Sequence, residues 1–208
     1  MQWLRARAPA SSANLGPGFD SLGLALSLYV EVTVGQAPAL SLRSAGHGAG
    51  LPRDASHLAA RVASAVVGHD RLALEVRSEI PLARGLGSSA ALAVAAAAAA
   101  GATDPLAVAA ALDGHPENAA ASALGGLVAA ATVGGSPVAV RHRLDPLLGF
   151  VVLVPDRSLP TAAAREVLAG SVQRADAVFN LSRMGLLLAG LADRRLLSAE
   201  ACEDRLHQ

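Results

Sequence analysis

Pro81-Leu-Ala-Arg-Gly-Leu-Gly-Ser-Ser-Ala-Ala91 decides how this chain is interpreted, because it leads straight into a run of alanines that ends near Ala100. Alanine has the highest helix propensity, so the stretch predicts a glycine-rich turn that opens a helix. Such a turn points several backbone N–H groups outward at the positive end of the helix dipole, where a phosphate binds favourably. The alternative is a plain connection in which Ser88 only caps the helix, and a short glycine motif alone does not decide between the two.

The segments on either side of this turn alternate between strand and helix patterns. Strands are predicted at residues 4–8, 29–34, 72–76, 127–133, 138–142 and 150–154. Helices are predicted from the glycine-rich turn to about residue 100, over residues 105–112, from a cap at 54 or 56 to 67, and through most of the chain after residue 160. Residues 9–20 and 35–50 are rich in turn-forming or small residues and are predicted to be loops. This alternation indicates an α/β or α+β protein.

The composition excludes several classes of protein. The 208 residues include seventeen acidic side chains, seventeen arginines and no lysine. A formal charge of zero favours neither nucleic acid nor an anionic membrane as a partner. The absence of lysine excludes Walker A NTPases, protein kinases and Schiff-base enzymes, because each of these needs a lysine amine. A hydrophobic content of 52% with only 2% aromatic residues predicts a packed core of alanine, leucine and valine.

Cysteine content and apolar runs predict a cytoplasmic protein. The single cysteine, Cys202, excludes an intrachain disulfide and a cysteine zinc cluster. Residues 1–12 lack the apolar stretch of a secretory signal. The longest apolar run, residues 90–100, is 11 residues long, which is shorter than the ~18–20 residues of a membrane span.

Two other clusters carry polar side chains that suit a small-molecule site. Ser12-Ala-Asn-Leu-Gly-Pro-Gly-Phe-Asp20, taken alone, indicates a loop with an Asx turn at Asn14 and a solvated Asp20. His115-Pro-Glu-Asn118, taken alone, indicates a turn, and no partner histidine stands at metal-binding spacing. Neither cluster indicates a function without the other and the glycine-rich turn.

Taken in order, the three stretches resemble the GHMP small-molecule kinases, named for galactokinase, homoserine kinase, mevalonate kinase and phosphomevalonate kinase. Residues 81–91 resemble the ATP-binding signature of that superfamily. The stretches similar to the homoserine kinase family are residues 13–23, Gly114-His-Pro-Glu-Asn118 with Leu124-Gly-Gly126, and Pro160-Thr-Ala-Ala-Ala-Arg165. The resemblance implies a two-part α+β fold, with an N-terminal domain that carries the glycine-rich turn and a ferredoxin-like domain after it. It also implies phosphorylation of the side-chain hydroxyl of L-homoserine by ATP and Mg²⁺, a step toward threonine.

The resemblance further implies which residues bind each ligand. ATP would bind Pro81, Leu82, Ala83, Arg84, Gly85, Leu86, Gly87, Ser88, Ser89, Ala90 and Ala91. The amino-acid substrate would bind Asn14, Asp20, His115, Asn118, Thr161 and Arg165. Asp20 suits the ammonium and Arg165 the carboxylate, because a charged hydrogen bond is the strong way to recognise each. Asn118 is the expected catalytic residue, which orients the hydroxyl without removing its proton. Ser89 and Asp113 are the candidate Mg²⁺ ligands.

Two features depart from the family pattern. Residues 106–112 contain only alanine, valine and leucine, where the family usually has an acidic residue that helps to hold Mg²⁺. The family also continues into a further arginine for the substrate carboxylate and a second glycine-rich motif. We therefore expect an ATP-binding domain over residues 1–149 and an incomplete C-terminal domain over residues 150–208, in a fragment or short form with little activity by itself. Another GHMP kinase and a non-catalytic nucleotide-binding module stay open as alternatives, as does a homodimer.

Overall fold

A six-stranded mixed sheet organises the residues that the computed structural model describes, which are 3–113, 115–154, 168 and 170–207. Its strands are β1 (Leu4–Leu15), β2 (Gly18–Gln36), β3 (Ser41–Gly46), β4 (Leu72–Ser78), β5 (Leu127–Val133) and β6 (Ser136–His142). The long strand β2 pairs antiparallel with β1, β4 and β5. β3 is parallel to β4, and β6 is antiparallel to β5. The site residues described below lie on β1, β2 and the helices that pack against them.

Five α-helices accompany the sheet in the described ranges: α1 (Leu58–Val67), α2 (Ser88–Ala99), α3 (Pro105–Asp113), α4 (Pro116–Leu124) and α5 (Arg174–Ala192). α2 lies in the middle of the main core, in contact with α1, α3, α4, β1 and β2. Eight of its twelve residues are buried, seven of them alanines. Because an alanine side chain is a single methyl group, neighbouring elements approach this helix closely on every side.

The arrangement confirms the predicted α+β class, and the strands predicted around residues 29–34, 72–76, 127–133 and 138–142 are present. Both predicted loops are wrong in part. β1 continues to Leu15 and β2 begins at Gly18, because residues 10–13 pair with residues 23–26 across a hairpin, as in Ser12 with Leu24. β3 lies inside the second predicted loop, where pairing with the buried strand β4 stabilises it.

Two further elements differ from the sequence prediction. Residues 150–154 form no strand, and Val151 and Leu153 are 90% and 89% exposed. The apolar run is typical of a strand, but a strand also needs a pairing partner, and none of the described residues provides one. Helix α4 was not predicted. It begins at Pro116, and the first position of a helix is the one that accepts proline best.

α1 begins one residue after His57, whose Nδ1 accepts a hydrogen bond from the backbone N–H of Ala59. The predicted cap at Asp54 or Ser56 is therefore wrong, because Asp54 instead accepts hydrogen bonds from the hydroxyl and N–H of Ser56. The His57 side chain is buried. Burial lowers the pKa of His57, and the nearby Asp54 carboxylate opposes that shift only in part.

α5 packs its last two turns against the sheet. Leu187 and Leu191 join Leu22, Leu24 and Leu127 in a second core cluster, whereas Val178, Leu181 and Leu186 of the same helix are exposed. By length and composition alone, α5 is the one described helix that could cross a membrane. Core helices of soluble proteins meet the same criterion, and α5 contributes leucines to a core.

The first prediction concerns the pH dependence of folding stability. Because the pKa of His57 is lowered by folding, this imidazole is protonated near pH ~6.5 in the unfolded chain but stays neutral at that pH in the folded chain. The contribution of this residue to stability is therefore complete above that pH and is lost as the pH falls below it. An asparagine at this position would keep a capping acceptor without a titrating ring, so His57→Asn should lose less stability than the wild type between about pH 8 and about pH 5. Urea unfolding at both pH values checks this, and equal losses would contradict it.

Candidate active site

The glycine-rich turn meets β1 at Gly87, which adopts left-handed backbone angles (φ 61°) as the N-cap of α2. A Cβ at this position would collide with the hydroxyl of Ser11. Glycine is therefore required here both by the backbone angles and by the neighbouring strand. No side chain caps α2, so the alternative in which Ser88 serves only as its cap does not hold. Because the N-cap residue is Gly87, it offers no side-chain acceptor to the first backbone N–H groups of the helix.

The hairpin between β1 and β2 positions Asn14 and Asp20. Both residues adopt left-handed backbone angles, with φ of 58° and 52°. Asparagine and aspartate tolerate this region better than most residues do. The side-chain Oδ1 of Asn14 accepts a hydrogen bond of 2.8 Å from the backbone N–H of Asp20. The Asx turn predicted at Asn14 is thus replaced by a side-chain contact that fixes the hairpin around Asp20.

A close approach to β2 brings α4 to this hairpin. A Cβ on Gly23 would lie 2.5 Å from the backbone oxygen of Glu117, so only glycine allows the helix to pack at this distance. The hydroxyl of Ser122, on the same helix, donates a hydrogen bond of 2.9 Å to the backbone oxygen of Pro9 in β1. The close packing at Gly23 positions α4 against the hairpin that carries Asp20, and the Ser122 hydrogen bond lies in the last turn of the helix.

The three sequence motifs meet where α4 begins. Side-chain ligand atoms of Asp20, His115 and Glu117 all lie within 4.8 Å of one another. Asn118 donates from Nδ2 to a carboxylate oxygen of Glu117 at 3.1 Å. Its Oδ1 accepts a hydrogen bond of 2.8 Å from Ser11, the residue against which Gly87 packs. Two acidic side chains, a histidine and an amide therefore converge beside the glycine-rich turn, an arrangement that suits a small cation with an adjoining polar group.

Four of the six predicted substrate-binding residues lie within this convergence. Asn14, Asp20, His115 and Asn118 are linked by the contacts above, and Ser89 is exposed on the first turn of α2. Thr161 and Arg165 lie outside the described residues, as does the side chain of Asp113. These assignments therefore stay predictions.

Sequence reasoning missed Ser11 and Glu117. Glu117 lies inside a quoted motif but received no role, although its side chain is 1% exposed. A carboxylate one position before the expected catalytic residue was the signal that could have identified it. Ser11 lies one residue before the first polar cluster, and nothing in the sequence signals its contact with Asn118, 107 positions away.

The tip of the hairpin is held by the segment that follows α5. Phe19 stacks on His207 with ring centroids 4.0 Å apart. Asp204 anchors this segment, because it accepts hydrogen bonds from the Asn180 side chain and from the N–H groups of Leu206 and His207. Burial tends to raise the pKa of Asp204, but these hydrogen bonds, with that from the His207 ring, outweigh burial and lower the pKa. The segment thus supports the hairpin that carries Asp20.

Comparison with known proteins identifies homoserine kinases among the similar proteins. Residues 55–135 match the family model described as "GHMP kinases N terminal domain". A homoserine kinase of Solibacter usitatus is 42% identical, over 99% of this chain and 73% of the relative. A homoserine kinase of Moorella thermoacetica is also 42% identical, over 97% of this chain and 73% of the relative. The chain thus spans about three quarters of the length of these relatives.

A solved structure shares the fold. The crystal structure of homoserine kinase from Cytophaga hutchinsonii superimposes with a TM-score of 0.80 at 25% sequence identity, over 100% of this chain and 73% of the other. The superposition and the family match confirm the GHMP kinase fold implied by the three motifs. The division into two domains at residue 149 stays a prediction.

The second prediction tests the close packing of α4 on β2. Gly23→Ala should lower the free energy of unfolding by about 1–3 kcal/mol, because the added methyl group forces the backbone of Glu117 away. Gly50→Ala is the matched control, since a Cβ there meets nothing within 4 Å. Urea unfolding of both variants measures the effect. Equal stability of the two variants would show that this contact does not position α4.

Proposed function

Because the chain belongs to the homoserine kinase family of the GHMP kinases, we propose that it transfers the γ-phosphoryl group of ATP to the side-chain hydroxyl of L-homoserine. The reaction product is O-phospho-L-homoserine, an intermediate of threonine biosynthesis. The cytoplasm is the proposed location, and a chain with a single cysteine suits its reducing conditions. Family membership rests on the relatives above. Residue roles rest on the family resemblance, and the geometry of the site supports those of Asn14, Asp20, His115 and Asn118.

The convergence of three distant motifs carries the proposal. Asn118 lies beside Gly87, because a Cβ on Gly87 would come within 3.1 Å of the Asn118 Oδ1, and Ser11 contacts both residues. A hydroxyl held by Asn118 would therefore lie close to a phosphate held at the first turn of α2. Phosphoryl transfer depends mainly on placing these two groups in line and on neutralising charge.

On the nucleotide side, residues 81–91 are proposed to bind the phosphates through backbone N–H groups. Gly85 also adopts left-handed angles (φ 70°), and a Cβ there would meet no protein atom within 4 Å. A small, open turn of this kind lets phosphate oxygens approach the backbone. The chain has no lysine, so backbone donors and the helix dipole take over the role that a Walker lysine has elsewhere.

Mg²⁺ is proposed to arrive with ATP and to neutralise charge on its phosphates. Mg²⁺ keeps several water and phosphate ligands and needs only one or two oxygens from a protein. The exposed hydroxyl of Ser89 fits as one of them, since it lies on the first turn of the helix that faces the phosphates. Asp113 is proposed as a second on sequence grounds.

On the amino-acid side, Asp20 is proposed to bind the substrate ammonium, with Asn14 and His115 as neutral partners. The short separations among Asp20, His115 and Glu117 support a cation-binding position here. Arg165 and Thr161 are proposed to bind the carboxylate, on the resemblance alone. A substrate with a charge at both ends is then oriented so that only its hydroxyl faces the nucleotide.

Asn118 is the proposed catalytic residue, in an orienting role. Its amide would hydrogen-bond the homoserine hydroxyl while the hydroxyl oxygen forms a bond to the γ-phosphorus and the bond to ADP breaks. An amide is not a base, so the hydroxyl proton passes to a phosphate oxygen or to water. Positioning is thus the contribution of Asn118 to the rate.

The third prediction tests phosphate binding at the turn. Gly85→Val should abolish detectable Mg-ATP binding in a calorimetric titration, because a branched side chain would occupy the open space that phosphate oxygens need. Gly101→Val is the matched control: Gly101 also has left-handed angles and open space, but it follows the opposite end of α2. Both variants share the backbone strain, and only the first should lose ATP. Gly87→Val is a poor test, since its side chain would collide with Ser11 whether or not ATP binds there.

The fourth prediction tests recognition of the ammonium. Asp20→Asn keeps the left-handed backbone angles and the N–H that donates to Asn14, but it removes the charge. The loss of one charged hydrogen bond should weaken L-homoserine binding about 10- to 100-fold. Binding of Mg-ATP should change little. An equal loss for both ligands, or a preference of the wild type for a sugar or mevalonate, would contradict the proposed substrate.

A further inference from the structure

Ser11 joins the glycine-rich turn to Asn118. It is fully buried in β1, and its backbone N–H donates a hydrogen bond of 3.1 Å to the backbone oxygen of Leu86. Its hydroxyl donates to Oδ1 of Asn118 at 2.8 Å. The same hydroxyl fills the space in which a side chain at position 87 would lie. One small residue thus contacts both the nucleotide side and the substrate side of the site.

The orientation of the Asn118 amide follows from its two partners. The atom 3.1 Å from the Glu117 carboxylate oxygen must be the NH₂ group, because a carboxylate accepts hydrogen bonds. The other amide atom, which faces Ser11, is therefore the carbonyl oxygen, and the Ser11 hydroxyl must be the donor. Together these contacts use the carbonyl oxygen and one N–H. Among the described residues, no acceptor takes the second N–H of Asn118.

We propose that Ser11 is a positioning residue, which holds the Asn118 amide so that its second N–H reaches the homoserine hydroxyl. This inference rests on the proposed function, because the hydroxyl belongs to the proposed substrate. Without the Ser11 hydroxyl, the amide keeps only its contact with Glu117 and can turn about the bond to its Cβ. Small displacements of a reacting group lower the rate of a transfer that depends on position.

The rate test uses two serine variants. Ser11→Ala should lower kcat about tenfold while the KM values for ATP and L-homoserine stay within about twofold. Ser122→Ala is the matched control, because it also removes a buried serine hydroxyl that bonds across α4 and β1, but not one that touches Asn118. It should keep its kcat. A similar fall in kcat for both variants would mean that Ser11 acts only through stability and would overturn the proposal.

A double-mutant cycle tests whether Ser11 acts through Asn118. In the Asn118→Ala background, Ser11→Ala should cause no further loss of kcat, since the amide that it orients is gone. A further loss of about tenfold would show independent effects and would overturn the proposal.

A measurement without substrate separates this inference from the proposed function. ¹⁵N relaxation of the Asn118 side-chain amide should show a rigid group in the wild type and in Ser122→Ala, and a mobile one in Ser11→Ala. An equally rigid amide in Ser11→Ala would overturn the role of Ser11. Absence of L-homoserine binding in a calorimetric titration of the wild type would instead contradict the proposed function.

Discussion

The contact between Gly87 and Ser11 is the constraint on which the rest of the site depends. A strand, a glycine-rich turn and a helix approach one another at a point that has room for a hydroxyl but not for a second side chain. The two hydrogen bonds of Ser11 join these three segments. Each segment carries one of the three motifs or leads into one. This contact therefore brings together motifs that are far apart in the sequence.

The chemistry around this contact is divided by charge. One side offers backbone N–H groups at a helix start and no lysine, which suits an anion held by preorganised dipoles. The other side brings Asp20 and Glu117 close together, which suits a cation. A phosphate donor would thus face the helix start, and the ammonium of a zwitterionic substrate would face the two carboxylates. The neutral amide of Asn118 lies between these two sides.

Local features of the sequence predicted the local features of the fold. The turn and helix of residues 81–91 follow from glycine flexibility and alanine propensity, which act within a few residues. The convergence of the motifs came only from the family resemblance, because spacing along a chain does not give distance in space. Pairing explains the errors: β3 and the hairpin at Ser12 are stabilised by strands distant in sequence, and residues 150–154 lack such a partner among the described residues. The contact of Ser11 with Asn118 was beyond prediction for the same reason, whereas Glu117 stands directly before the expected catalytic residue and could have been identified.

The alanine composition of α2 has a consequence for how the site responds to a ligand. Alanine has no rotamers to lose on burial, so ordering this helix costs almost no side-chain entropy. For the same reason its side chains have no alternative conformations with which to absorb a movement of their neighbours. α2 is therefore a rigid element, packed between the sheet and three other helices. Any adjustment to a bound phosphate has to take place in the turn before it, where four consecutive residues, 82–85, are exposed or half-buried.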